Sequence, residues 1–108
     1  MTSNDNNRLA ANEAFLRLLH SAHPEQRRQL IKTAAREQIL SVCECAHNIL
    51  ESNVILTPKQ LDKLRTFRKF VRTVVDRKIS ISAKKTKLQH SGGFLPTLLE
   101  PIIESLTS

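Results

Sequence analysis

Residues 24–51 read PEQRRQLIKTAAREQILSVCECAHNILE, and their spacing decides the fold. Ile31, Ala35, Ile39, Val42, Ala46 and Ile49 recur three and four positions apart, with Leu30, Ala34, Cys43 and Leu50 widening the stripe. That is the period of an α-helix with one apolar face, not the two-residue alternation of a strand. Pro24 suits the first helical position, and its ring biases His23 away from helical geometry. The spacing predicts one long helix over residues 24–51. Its small side chains, Ala34, Ala35, Cys43 and Ala46, let a second helix approach closely.

The flanks extend this pattern. On the N-terminal side, Leu9, Phe15, Leu16 and Leu19 predict a helix over residues 6–20, after a polar and disordered stretch at 1–5. On the C-terminal side, residues 52–56 form a connection. Thr57-Pro58-Lys59-Gln60 then opens a third helix, with Thr57 as cap, Pro58 at the first position and Gln60 closing a capping box. Leu61, Leu64, Phe67, Val71, Val74 and Val75 turn that helix, residues 57–77, toward the core. Ser80 and Ser82 are alternative caps for a short fourth helix through residue 90, which Gly92-Gly93 ends. In the apolar remainder, Pro96 can open a helical turn and Pro101 is expected to kink or break one.

The expected fold is all-α: a small bundle of three main helices, a short basic helix and an apolar C-terminal tail. Residues 6–91 form the helical domain, with its basic face at 59–87, and residues 92–108 form the Gly-Gly-led tail. A chain of 108 residues is one domain. Hydrophobic content of 40% against 25% charged suits a folded chain rather than a disordered one. Cys43 and Cys45 lie two positions apart on a helix and are poorly placed to pair, so a reducing intracellular compartment is expected. The first eight residues lack the apolar core of a signal peptide, and no apolar run approaches the ~20 residues that span a bilayer.

Charge is where function first shows. Eleven of the 17 Lys and Arg residues fall within 59–87, against two acids, Asp62 and Asp76, in a chain of net charge +7. Solvated helix faces mix their signs, whereas a one-sign block carries a self-repulsion that a polyanion removes. Lys59, Lys63, Arg65, Arg68, Lys69, Arg72, Arg77, Lys78, Lys84, Lys85 and Lys87 are therefore the expected contacts to nucleic acid or another polyanion. Those contacts are to phosphate, since base-reading Asn, Gln and aromatic residues are scarce in this window.

A second candidate is the tail. Phe94, Leu95, Leu98, Leu99, Ile102, Ile103 and Leu106 recur at helical spacing. They either dock as a terminal helix on the core or face a membrane surface or capsid protein. Cys43 and His47 share a helix face, but Cys45 points elsewhere and no second cluster completes a ligand set, so no metal is expected. His20, His23, His47 and His90 have no serine or acid arrangement around them, and Gly92-Gly93 lacks the lysine and hydroxyl of a phosphate loop. No cofactor and no enzymatic activity are expected.

The segment Gly92-Gly93-Phe94-Leu95-Pro96-Thr97-Leu98-Leu99-Glu100-Pro101-Ile102-Ile103, following basic sequence, resembles the C-terminal part of adenovirus core protein X, the precursor of the mu peptide. The wider pattern of Leu56-Thr57-Pro58, a basic helix, Val75-Asp76-Arg77-Lys78, a second basic stretch and the Gly-Gly tail is similar to small basic proteins of Polinton/Maverick elements and adintoviruses. The resemblance implies a minor virion component that condenses double-stranded DNA, found in the virion and host nucleus. It also implies a protease site after Gly93, although His90 stands where that protease prefers Met, Leu or Ile. Residues 6–56, within a first 58 residues of zero net charge and without counterpart in the adenovirus protein, are left for homo-oligomerisation or capsid docking.

Overall fold

The computed structural model describes residues 8–51, 56–90 and 94–107, and they are all-α. Residues 8–11 form a helical turn, and α1 follows over Glu13–Ser21. Asn12 separates the two. Its side-chain amide donates to the Arg8 carbonyl at 2.8 Å, a local bond that competes with the next backbone turn. Leu9, Leu16 and Leu19 are buried and Phe15 is half-buried, as the spacing predicts.

The long helix expected over residues 24–51 is instead two, α2 (Pro24–Lys32) and α3 (Arg36–Leu50). Thr33 ends α2, and both its amide and its hydroxyl bond the Gln29 carbonyl. Ala35 is extended, with its N–H donated to the Gln38 Oε1 at 2.8 Å. Gln38 thus caps α3 from its third position, and the break re-phases the apolar stripe. Ala35, expected inside, is exposed, while Ser41, Val42, Cys45, Ala46 and Ile49 are buried. The rotation makes α3 the central helix, in contact with α1 and with the helices over Arg68–Val75, Ile81–His90 and Leu95–Thr107. Ser41 is tolerated at 0% exposure because its hydroxyl donates to the Gln38 carbonyl at 2.6 Å.

The predicted third helix also divides, into α4 (Pro58–Thr66) and α5 (Arg68–Val75), at Phe67. The Thr57–Gln60 capping box forms at the start of α4. The Thr57 hydroxyl accepts the Gln60 N–H, and Gln60 Oε1 accepts the Thr57 N–H. α4 buries no side chain, and Leu61, expected in the core, is 39% exposed. α5 buries Phe70, Val71 and Val74. Helix α6 spans Ile81–His90, and Ser80 rather than Ser82 caps it, accepting the Ala83 N–H at 3.1 Å.

The last helix, α7, spans Leu95–Thr107 and lies on α1, α3 and α4. Phe94, Leu95, Leu98, Leu99 and Ile102 are each at most 3% exposed, and Ile103 and Leu106 pack partly against the same core. Of the two alternatives for this tail, the fold shows the docked helix. Its apolar residues would have to leave the core to reach a membrane or capsid. Pro101 does not break α7. An interior proline costs about 3 kcal/mol, whereas each fully buried aliphatic or aromatic side chain contributes about 1.5–3 kcal/mol. Burial on both sides of Pro101 therefore carries the helix through it. Phe94 stacks on Phe67 at a centroid distance of 4.4 Å and meets Phe70 edge-on at 5.8 Å, fixing the start of α7 to α5. The expected ends of the chain at 1–5, the connection at 52–55 and the Gly92-Gly93 stop lie outside the described residues.

One buried cation closes the α1–α2 corner. Arg27 is 5% exposed, and its guanidinium donates to the Leu19 carbonyl at 3.0 Å and the Ala22 carbonyl at 2.6 Å. These carbonyls close the C-terminal end of α1, where intrahelical donors run out. Arg27→Met should lower stability by about 2–3 kcal/mol, because carbonyls lose charge-assisted bonds without recovering water. Arg27→Lys should recover only part, since an ammonium cannot reproduce the fork. Urea melts with an unchanged m-value measure both.

Candidate functional site

Arg68, Arg72 and Lys69 occupy an arc of about 100° on α5, opposite the arc of Phe70, Val74 and Val71, as a rotation of about 100° per residue requires. All three cations are exposed. Arg77 and Lys78 follow on the turn to α6, also exposed. The nearby Asp76 carboxylate is engaged by the Lys78 backbone N–H at 2.9 Å. Lys87 is exposed on α6 and Lys85 is half-buried. Among the described residues, the only ion pair within 59–87 is Arg65–Asp62 at 3.8 Å, with both side chains more than two-thirds exposed. Such a pair holds little energy and does not withdraw Arg65 from a stronger partner.

Lys59 and Lys63 are exposed but differently placed. They share a shallow groove of about 340 Å³ with Glu100 and Glu104 of α7. Gln60 donates to Glu100 across it at 3.4 Å. The two acids of the tail thus lie beside the first two lysines of the basic stretch and offset their field. This juxtaposition of residues 40 apart leaves no mark in the sequence pattern.

Lys84 departs furthest from expectation. Expected on the surface, it is 5% exposed, one turn before the buried Leu88 on the face of α6 that packs against α2, α3 and α5. It lines a cleft of about 480 Å³ with Arg8, Arg36, Glu44, His47 and Arg77. Arg8 bridges Glu37 and Glu44, each at 3.3 Å. The second oxygen of Glu44, Oε2, is buried and has no hydrogen-bond donor. Sequence reading missed Arg8, Arg36 and Glu44, because the cleft draws them from separate turns of the chain.

Cys43 is half-buried at the cleft wall, and Cys45 is fully buried on the core side of α3. Burial pushes both thiols above their ordinary range, and the Lys84 ammonium offsets part of this at Cys43. Cys45 should therefore resist alkylation at pH 8 in the native protein and react on unfolding. Each thiol keeps its proton to higher pH when folded than an unfolded thiol, which ionises at about pH 8.5, so stability should fall as pH rises past that value. A series of urea melts from pH 7 to 10 checks the direction.

Among the described residues, no cluster of three His, Cys, Asp or Glu is placed to hold a metal ion, and no helix is long and apolar enough to cross a membrane. Fold and site together define a small all-helical protein with a mostly basic surface over residues 65–87. No protein-family model matches the chain, and neither a curated protein nor a solved structure does.

Proposed function

We propose that this protein binds double-stranded DNA without sequence preference, through phosphates, and condenses it as a minor core component of a virus or virus-like element. It acts by binding rather than by catalysis. The observation that carries the reading is the set of exposed cations Arg65, Arg68, Lys69, Arg72, Arg77, Lys78 and Lys87, among which Arg65–Asp62 is the only ion pair between described residues. The likeness of the basic stretch and its apolar sequel to viral core proteins supports the viral setting. Lys84 takes no part at the surface, and Lys59 and Lys63 contribute less than the cations of α5.

The protein is about 30 Å across in every direction, so one copy covers about nine base pairs at two charges per 3.4 Å of duplex. Duplexes of unrelated sequence should bind with similar affinity. If about six phosphates are contacted, affinity should fall by about 10³ between 50 and 200 mM salt. Fluorescence anisotropy across that range tests this, and a flat salt response overturns the reading.

A further inference from the structure

A lysine is almost never fully buried unless it is paired. Lys84 is 5% exposed and makes no ion pair or side-chain hydrogen bond with any described residue. Its aliphatic stem is what is buried: the ammonium meets solvent in the cleft that Lys84 lines, a cation held in place by its packed chain and free for an anion. Its surroundings have the same sign. Arg36 and Arg77 line the cleft and have no carboxylate partner among the described residues. The N-terminal end of α6, at Ser80 and Ile81, adds its partial positive charge to the same space. Only Arg8 is neutralised, by Glu37 and Glu44.

Glu44 says what else the occupant carries. Its Oε2 is buried without a donor, next to cations that attract an anion. An occupant that satisfies both features has a phosphate group for Lys84, Arg36 and Arg77, and a hydroxyl or amino group to donate to Glu44. Guanidinium forks match phosphate oxygens in pairs. A volume of about 480 Å³ is that of a small-molecule site, too confined for a duplex.

We propose that this cleft binds a nucleotide-type phosphoanion, with Lys84 as the central cation, Arg36 and Arg77 as clamps, and Glu44 accepting from a ligand hydroxyl. The phosphate comes either from a free nucleotide or from the 5′ end of a strand. The site goes beyond duplex binding: it shares Arg77 with the basic surface, but Arg68, Lys69 and Arg72 do not line it.

The test is calorimetry at low salt with ATP, and with a short single strand carrying either a 5′-phosphate or a 5′-hydroxyl. Wild type should bind ATP or the phosphorylated strand and gain thermal stability from it. Tighter binding of ATP assigns the site to free nucleotide, and tighter binding of the 5′-phosphorylated strand assigns it to strand ends. Lys84→Met and Arg36→Gln should each weaken binding at least tenfold, while Lys32→Gln, an exposed charge on α2, should leave it unchanged. Absence of binding in wild type, equal binding by the two strands with none by ATP, or equal losses in Lys84→Met, Arg36→Gln and Lys32→Gln would overturn the proposal. Arg36 is exposed, so its variant keeps the test decisive if Lys84→Met fails to fold. Salt-dependent duplex binding by the same variants separates failure of this site from failure of the surface reading.

Discussion

Deleting residues 94–108 should unfold the protein, and Leu99→Asp in the full chain should do the same. Phe94, Leu95, Leu98, Leu99 and Ile102 are all in the core, on α1, α3 and α4. At about 1.5–3 kcal/mol each, their burial contributes roughly 10 kcal/mol, comparable with the whole net stability of about 5–15 kcal/mol for a domain. Leu99→Asp adds the cost of a carboxylate with no partner in that core. Circular dichroism and urea melts should show loss of the cooperative transition in both variants. A truncated chain that still melts cooperatively would show that α7 is an accessory and would restore the tail as a free docking segment. The result also governs how vesicle experiments are read. A truncated chain that binds lipid differently would be reporting unfolding, not a missing membrane contact.

Helical class and most core positions were legible because apolar spacing is a local signal. Ile31, Ile39, Val42, Ala46 and Ile49 are buried as their period requires. The breaks inside the two longest predicted helices were not legible. Neither Thr33-Ala34-Ala35 nor Phe67 contains Gly or Pro, and both segments keep the apolar period on paper. What breaks the first is a side-chain cap from Gln38; what accompanies the second is stacking of Phe67 on Phe94, a residue 27 positions away. The Thr57 box was legible, and the α6 cap was narrowed to Ser80 or Ser82, because cap residues act on amides three positions ahead. Of the two effects expected at Pro101, a break does not occur: burial on both of its sides carries α7 through.

The candidate surface was legible as charge and illegible as geometry. Counting Lys and Arg finds the stretch but treats all eleven alike. The structure sorts them into cations opposite the core face of α5, cations beside Glu100 and Glu104, and one cation inside a cleft. That sorting depends on where α7 and α6 pack, which no local period encodes. The buried Lys84 is the clearest case, since its neighbours Lys85 and Lys87 share its sequence context and not its burial.

Replacing Arg68, Lys69 and Arg72 together with Gln should weaken duplex binding by several hundredfold at 0.1 M salt. Each phosphate contact contributes about 0.9 to the slope of log affinity against log salt, so three lost contacts lower it by about 2.7. At 0.1 M that is nearly three decades of electrostatic affinity, measured against 1 M salt, where the term vanishes. Because all three side chains are exposed and none is in an ion pair with a described residue, the fold should be unchanged within about 0.5 kcal/mol. The matched comparison is Lys59→Gln with Lys63→Gln. These lysines sit beside Glu100 and Glu104, so their removal deletes charge that is already offset and should cost less per residue. Anisotropy titrations at four salt concentrations give slope and affinity for each variant. Equal losses per charge in the two sets would mean that only net charge matters and that the α5 arc is not the contact surface. A larger loss in the α5 set, with the slope falling in step, would place the phosphates on α5, since net charge alone predicts the same change per lysine or arginine removed.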